Sequence, residues 1–300
     1  MGMSLSVVVV SDHEENPSSL WCTVRGVLIA LEQQDIHEPF EVVLVENDSY
    51  RDSAPADLDS LCPNMTVVYS PEARSTKLKD LGVAQASAEL VAVIDADCLP
   101  EPGWLRIVTE VLRRRPEVSA VSGRTHYGCE TSYQRALSLV DRSFDDLGEA
   151  SFTTQVSTNA ALYRRSLLTQ FPYPHAVTPF HSAVLRMHAM SRAGIRLFFE
   201  PAAVVRHSIG GLRFMRDFRR NLGYAAMKGD QARSLRSIPH ILWRRSLREA
   251  HDCLRLGPRY LRWYDWPLAA LLLATVPALQ IPGMLDARRG VDKIPHTLFR

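Results

Sequence analysis

The stretch GVAQASAELVAVIDADCLPEPGWL (residues 82–105) decides the fold. Its centre, residues 90–94, is an unbroken apolar run, with an amphipathic segment before it and a second one starting at Trp104. A short continuous apolar run between two helical segments is what a parallel strand buried on both faces requires. The run ends in Asp95-Ala96-Asp97, so two carboxylates stand at the strand's carboxyl end. Open α/β sheets bind their ligands there. Asp-x-Asp alone is a common chance pattern and often only a solvated turn; its place after a buried strand gives it meaning. Hard divalent cations take oxygen ligands and bridge well to phosphates, so this pair suits a metal–diphosphate site.

Working outward, residues 5–10, 40–45, 65–69 and 118–122 read as further strands. Residues 18–31 carry Leu20, Val24, Val27, Leu28 and Leu31 at helical spacing, residues 75–88 read as a helix, and residues 104–114 form another, stopped by Pro116. Strand–helix alternation with short links predicts an α/β fold with a doubly wound, mostly parallel sheet flanked by helices. Beyond residue 126 the rhythm changes. Helices are expected over 132–147 and 182–193, a strand over 160–163, and two short strands over 195–199 and 203–206. Residues 211–262 form a basic helical stretch. The expected division is a domain over 1–210, with a first half over 1–125 and a second over 126–210, followed by a basic helical C-terminal region over 211–300.

Composition narrows the class. The 300 residues are 46% hydrophobic and 23% charged, which excludes a disordered, collagen-like or multi-span membrane chain. Five cysteines form no C-x-x-C pair and leave one over, so a disulfide framework or thiolate zinc knot is not expected and a reducing compartment fits. The opening MGMSLSVVVVSDHEEN has no basic region before its apolar run and reads as a strand, not a signal peptide. The net charge of +2 conceals a division: residues 1–150 hold 25 acidic and 12 basic side chains, residues 151–300 hold 8 and 23. A basic half of this kind faces phosphates, nucleic acid or an anionic membrane, or else pairs with the acidic half. Its bases are not interleaved with aromatics in a nucleic-acid motif, so no nucleic-acid partner is expected. Residues 266–285 carry no charge, but Pro267, Pro277, Pro282 and Gln280 interrupt them. A shallow or re-entrant membrane hairpin is predicted in preference to a clean span, with a buried helix pair as the plain alternative.

Three segments resemble the family-2 glycosyltransferases, whose nucleotide-sugar-binding fold is of the GT-A type. Residues 82–105 match the family's central block, VSTNAALYRRSLL (156–168) resembles its acceptor-side segment, and AGIRLFFEPAAVVRH (193–207) its closing strands and histidine. The resemblance runs from about Ser4 to Leu222 and implies a GT-A-type fold. It implies a hexosyltransferase acting, by inversion in the family's manner, on a nucleotide diphosphate sugar and a glycan or lipid-linked acceptor, with Mg²⁺ or Mn²⁺ as cofactor. Polysaccharide biosynthesis is the corresponding setting, in the cytoplasm at the inner face of the cell membrane.

Residue by residue, the resemblance makes Asp97 the principal metal ligand, with His207 beside it, and puts Asp95 on the donor's ribose or the metal. Glu46 stands where the family has an aspartate that meets the base. A carboxylate there accepts from the uracil imide, so a UDP-sugar is preferred. Lys79 stands where an arginine meets base or diphosphate, with Arg74 or Lys77 sharing that task. Asp12 and Glu14, in a first loop that lacks the family's usual residues, reach for ribose hydroxyls. Trp104 and Asn159 fall on the acceptor side. A satisfied strand-end histidine is the ordinary alternative for His207, and a solvated loop carboxylate for Glu46. The family's glutamate–aspartate pair is missing: no carboxylate lies between Ala150 and Glu200. His181, or Asp145 or Asp146, would then act as the base that inversion requires. Otherwise the chain is retaining, uses a phosphate acceptor that needs no base, or is a catalytically silent scaffold.

Overall fold

The computed structural model describes residues 5–11, 17–62, 64–72, 74–208, 212–231 and 238–291. Valines make the centre of the sheet. All six residues of β1 (Leu5–Val10) are buried, and it runs parallel to β2 (Phe40–Asn47) on one side and β4 (Leu90–Asp95) on the other. β3 (Met65–Ser70) extends the parallel set beyond β2. Because side chains alternate along a strand, Val7 and Val9 face one layer and Val8 and Val10 the other. The first layer is α1 (Pro17–Glu32) and α3 (Trp104–Arg114), packed through Val24, Leu28, Leu105 and Val108. The second includes α2 (Ser75–Gln85), packed through Leu78 and Val83. α2 lies so close to the sheet that a Cβ on Gly82 would fall 2.3 Å from Val8 Cγ1.

The second half of the domain departs from parallel order. β8 (Ala160–Arg164) is inserted antiparallel between β4 and β6 (Ala120–His126), and β9 (Leu197–His207) runs parallel to β6. Two short strands, β5 (Cys98–Pro100) and β7 (Ser151–Thr153), pair antiparallel with β9. The order is β3-β2-β1-β4-β8-β6-β9-β5, with β7 off the path. The strands expected at 195–199 and 203–206 are thus one. Pro201 cannot donate to a ladder, and a register shift opposite it, between Gly123 and Arg124, lets β9 continue.

Three helices complete this part: α4 (Ser132–Arg142), α5 (Arg165–Gln170) and α6 (Pro179–Arg192). α4 ends at Arg142 instead of reaching 147, in a loop that Asp146 closes by accepting from Gly148 N at 2.6 Å. α6 begins three residues earlier than expected. Thr178 is its N-cap, accepting from His181 N at 3.1 Å, and Pro179 occupies the first turn, where a missing N–H costs nothing.

The C-terminal region is α7 (Leu212–Gln231), α8 (Ile238–Tyr260) and α9 (Trp266–Arg288). The expected hairpin at 266–285 is instead this one helix, which runs through Pro277 and Pro282. α7 and α9 touch backbone to backbone: a Cβ on Gly283 would sit 1.7 Å from Arg220 O, and one on Gly223 would sit 2.1 Å from Gln280 O. Much of the basic charge is consumed internally. Arg219 pairs with the buried Asp141 of α4, Arg220 with Asp286 at 2.7 Å, and Arg255 and Arg259 donate to the carbonyls of residues 146–148. In return, Asp265 at the head of α9 takes a two-pronged bond from Arg135 of α4, at 2.7 and 2.9 Å. Ala136, Leu139 and Val140 of α4 share an apolar cluster with Cys253, Leu256 and Val276.

Candidate active site

The carboxyl end of β4 delivers Asp95 and Asp97 to the mouth of the sheet. Asp95 is fixed by its backbone N–H, which donates to Asn159 O at 2.8 Å. Its carboxylate lies 2.6 Å from Lys79 Nζ on α2, a close ion pair outside hydrogen-bond geometry, while Lys79 donates to Thr158 O at 2.8 Å. Burial raises the Asp95 carboxyl above its usual range, against the opposing pull of Lys79.

Asp97 meets His207 because β5 pairs with β9, which sets Cys98 opposite His207. Ser208 N donates to Asp97 O at 2.8 Å and ties the turn. His207 Nδ1 is 2.7 Å from Ser208 O. A carbonyl only accepts, so the proton sits on Nδ1 and the lone pair on Nε2. That lone pair faces Asp97 Oδ2 at 3.4 Å. Burial and the nearby Arg142 push His207 down to about 3, so the ring is neutral and no proton bridges the two atoms. Two electron-pair donors facing each other across a gap fit a cation. Cys98 Sγ lies within 4.8 Å of both ligand atoms. Burial holds its thiol well above the usual range, so it stays protonated and donates to Asp97 Oδ1 at 3.5 Å. The remaining oxygen and imidazole donors suit Mn²⁺ or Mg²⁺, and the imidazole favours Mn²⁺ of the two.

Asp95, Asp97 and His207 line a recess together with Lys79, Arg142 and Asn159. Tyr173, Pro179, Phe180 and Phe218 supply its apolar wall. Neither Arg142 nor this wall was singled out from the sequence. Thr178-Pro179, an N-cap and first-turn proline, was the available sign that Phe180 belongs to a helix start.

Residues 6–172 match the family profile described as glycosyl transferase family 2. The chain belongs to glycosyl transferase family 2. It is therefore a glycosyltransferase, and its sheet and helices are those of the GT-A fold. Among solved structures it resembles the mannosyltransferase PcManGT from Pyrobaculum calidifontis in complex with GDP-Man and Mn²⁺. The TM-score is 0.61 at 18% identity, covering 97% of this chain and 88% of that one. It also resembles TarS 1–349 of S. aureus, with a TM-score of 0.51 at 15% identity, covering 96% and 92%. No protein of curated function matches it in sequence.

Asp95, Asp97, Lys79, Asn159 and His207 thus come together in one recess. Glu46 stands apart at the end of β2, fully buried, accepting from Ser11 Oγ and from Asn47 N at 2.6 Å. Burial raises its carboxyl to about 7. Asp12 and Glu14 lie outside the described residues. Arg74 pairs with Glu72, and Lys77 joins Asp80 to the Tyr173 carbonyl; neither lines the recess.

Several expected roles meet a different geometry. Trp104 is 1% exposed in the core under α3 and offers nothing to an acceptor. His181 points from α6 toward α7, edge-on to Tyr224 at 5.9 Å, and lines no part of the recess. Asp146 is occupied by Arg124 Nε at 3.0 Å and Tyr260 Oη at 2.6 Å, a clamp between β6 and α8. Asp145 is partly buried next to Arg142, its carboxyl raised to about 7 by burial, but it does not line the recess.

Proposed function

We propose that the chain transfers a sugar from a nucleotide diphosphate donor, a UDP-sugar in preference, to a glycan or lipid-linked acceptor with inversion. A divalent cation would be held by Asp97 and His207. The facing lone pairs of those two residues, 3.4 Å apart at the sheet's carboxyl end, carry this reading. When bound there, Mg²⁺ or Mn²⁺ supplies charge neutralisation at the departing diphosphate. The chain's own residues prepare the place. Lys79 pairs with Asp95, the Asn159 backbone fixes its height, and the Ser208 carbonyl fixes the tautomer of His207. Glu46, beside the end of β1, would accept from the donor base; the uracil imide offers one such N–H.

Among the described residues, the only carboxylates lining the recess are Asp95 and Asp97. A sugar hydroxyl attacking there would lack a base, whereas a phosphate oxygen is already an anion and needs none. This favours the lipid-linked acceptor of the two. Membrane contact belongs to the same reading. α8 turns Trp243 (65% exposed), Leu247 and Leu254 (69% exposed) outward on one stripe, with Arg244 and Arg248 alongside. α9 turns Leu271 and Ile281 outward. Apolar side chains flanked by arginines suit the interface of an anionic bilayer, peripheral to its inner face. The carbonyls of Leu273 and Ala278, deprived of donors by Pro277 and Pro282, suit a wet interface better than hydrocarbon.

Calorimetric titration of UDP and GDP, with and without Mn²⁺, on the wild type and on Asp97→Ala tests the proposal. Nucleotide binding that requires both Mn²⁺ and Asp97 supports it, and the better ligand identifies the base. A folded wild-type protein that binds no nucleotide overturns it and leaves a silent scaffold.

A further inference from the structure

Arg142, the last residue of α4, is 4% exposed, yet its Nε has no hydrogen-bond acceptor. Among the described residues no carboxylate lies within ion-pair distance of its guanidinium. It is held by ring faces instead, 4.9 Å from the centroid of Tyr127 and 5.9 Å from that of Phe218. Burying a cation without an anion is costly, and chains avoid it unless a counter-charge arrives from elsewhere. The guanidinium lines the same recess as Asp97 and His207. Arg219, one helix away and equally buried, also has an Nε without an acceptor, but its guanidinium is paired with Asp141.

We propose that Arg142 is the fixed phosphate-oxygen site of this recess, a guanidinium fork that receives an anionic oxygen next to the Asp97–His207 pair. The reading rests on the proposed donor site and adds a residue to it. The anionic oxygen belongs either to the donor's terminal phosphate or to a phosphate on the acceptor. The guanidinium suits it because planar forks match phosphate geometry and keep their charge at any physiological pH.

Two variants test this: Arg142→Lys, which keeps the charge and loses the fork, and Arg142→Met, which removes both. In the donor arm, affinities for nucleoside diphosphate and nucleoside monophosphate are measured with Mn²⁺. In the acceptor arm, decyl phosphate is titrated into the nucleotide-loaded protein. The expected result is a loss of roughly 10- to 100-fold for one of the two phosphate ligands, with the monophosphate unchanged. The arm that responds identifies the source of the oxygen. Without ligand, the urea midpoint of Arg142→Met should equal or exceed that of the wild type, because an uncompensated buried charge has been removed. Arg219→Met, which orphans Asp141, should lower it. Unchanged affinity in both arms for a wild type that does bind nucleotide overturns the proposal. A wild type that binds no nucleotide overturns the donor site itself, which is a separate result.

Discussion

Replacing Glu46 by glutamine measures what a buried carboxylate at the carboxyl end of β2 does to the stability of the sheet. In the unfolded chain this group ionises near 4.5, and in the folded protein burial delays ionisation to about 7. Between those values the folded state holds a proton that the unfolded state has lost, so stability falls as pH rises. The full interval of about 2.5 pH units corresponds to about 3 kcal/mol, absent below pH 4.5 and complete above pH 7. Glutamine keeps both neighbours: its carbonyl accepts from Asn47 N, and the Ser11 hydroxyl, which donates to the carboxylate, can turn to accept from the amide. Urea unfolding of both proteins at a series of pH values from 5 to 8 isolates the effect, because every other titrating group cancels in the difference. The two should be nearly equal at pH 5, with glutamine ahead by about 3 kcal/mol at pH 8. A difference that stays constant across this range would refute the reasoning.

The C-terminal helices give three further tests. Gly283→Ala forces a methyl group into Arg220 O and should cost about 1–3 kcal/mol of stability, read as a lowered urea midpoint. Asp265→Asn removes a carboxylate that Arg135 holds well below the usual range. Its folded value is depressed, so the stabilisation is complete above pH 3.8 and is lost as pH falls toward that depressed value. The midpoint difference from wild type should therefore be present at pH 7 and shrink below pH 3.8. Trp243→Glu with Leu254→Glu should abolish co-sedimentation with anionic vesicles and leave UDP or GDP binding intact; equal sedimentation of the variant would remove α8 from the membrane reading.

The parallel centre of the fold was legible because its chemistry is local. Four consecutive valines in β1 and the apolar run of β4 admit little besides a strand buried on both faces. Asp95 and Asp97 followed from where that run stops. What the sequence concealed was pairing at a distance. β5 is three residues long and exists only because β9 lies beside it, yet it is β5 that sets Asp97 next to His207. His181 looked like a base because it stands near the position of the missing carboxylates, but on a helix one residue of offset turns a side chain by about 100°. Phe180 faces the recess and His181 faces Tyr224. Arg142 was passed over because a lone arginine at a helix end resembles a solvated cation, and only its burial, with no counter-ion among the described residues, distinguishes it. The basic second half was read as a surface for polyanions, although Arg219 and Arg220 are spent on Asp141 and Asp286.

α4 carries Arg142 at one end, and along its length it presents Ala136, Leu139 and Val140 to the terminal helices. The two jobs share one rigid rod of three turns. A surface that gripped the outer side of α8 and α9 would bear on α4, and so on Arg142, through this shared cluster. Shortening the chain ahead of α8 would do more than free the protein from such a surface. It would bare the apolar side of α4 to water and loosen the mount on which Arg142 is carried.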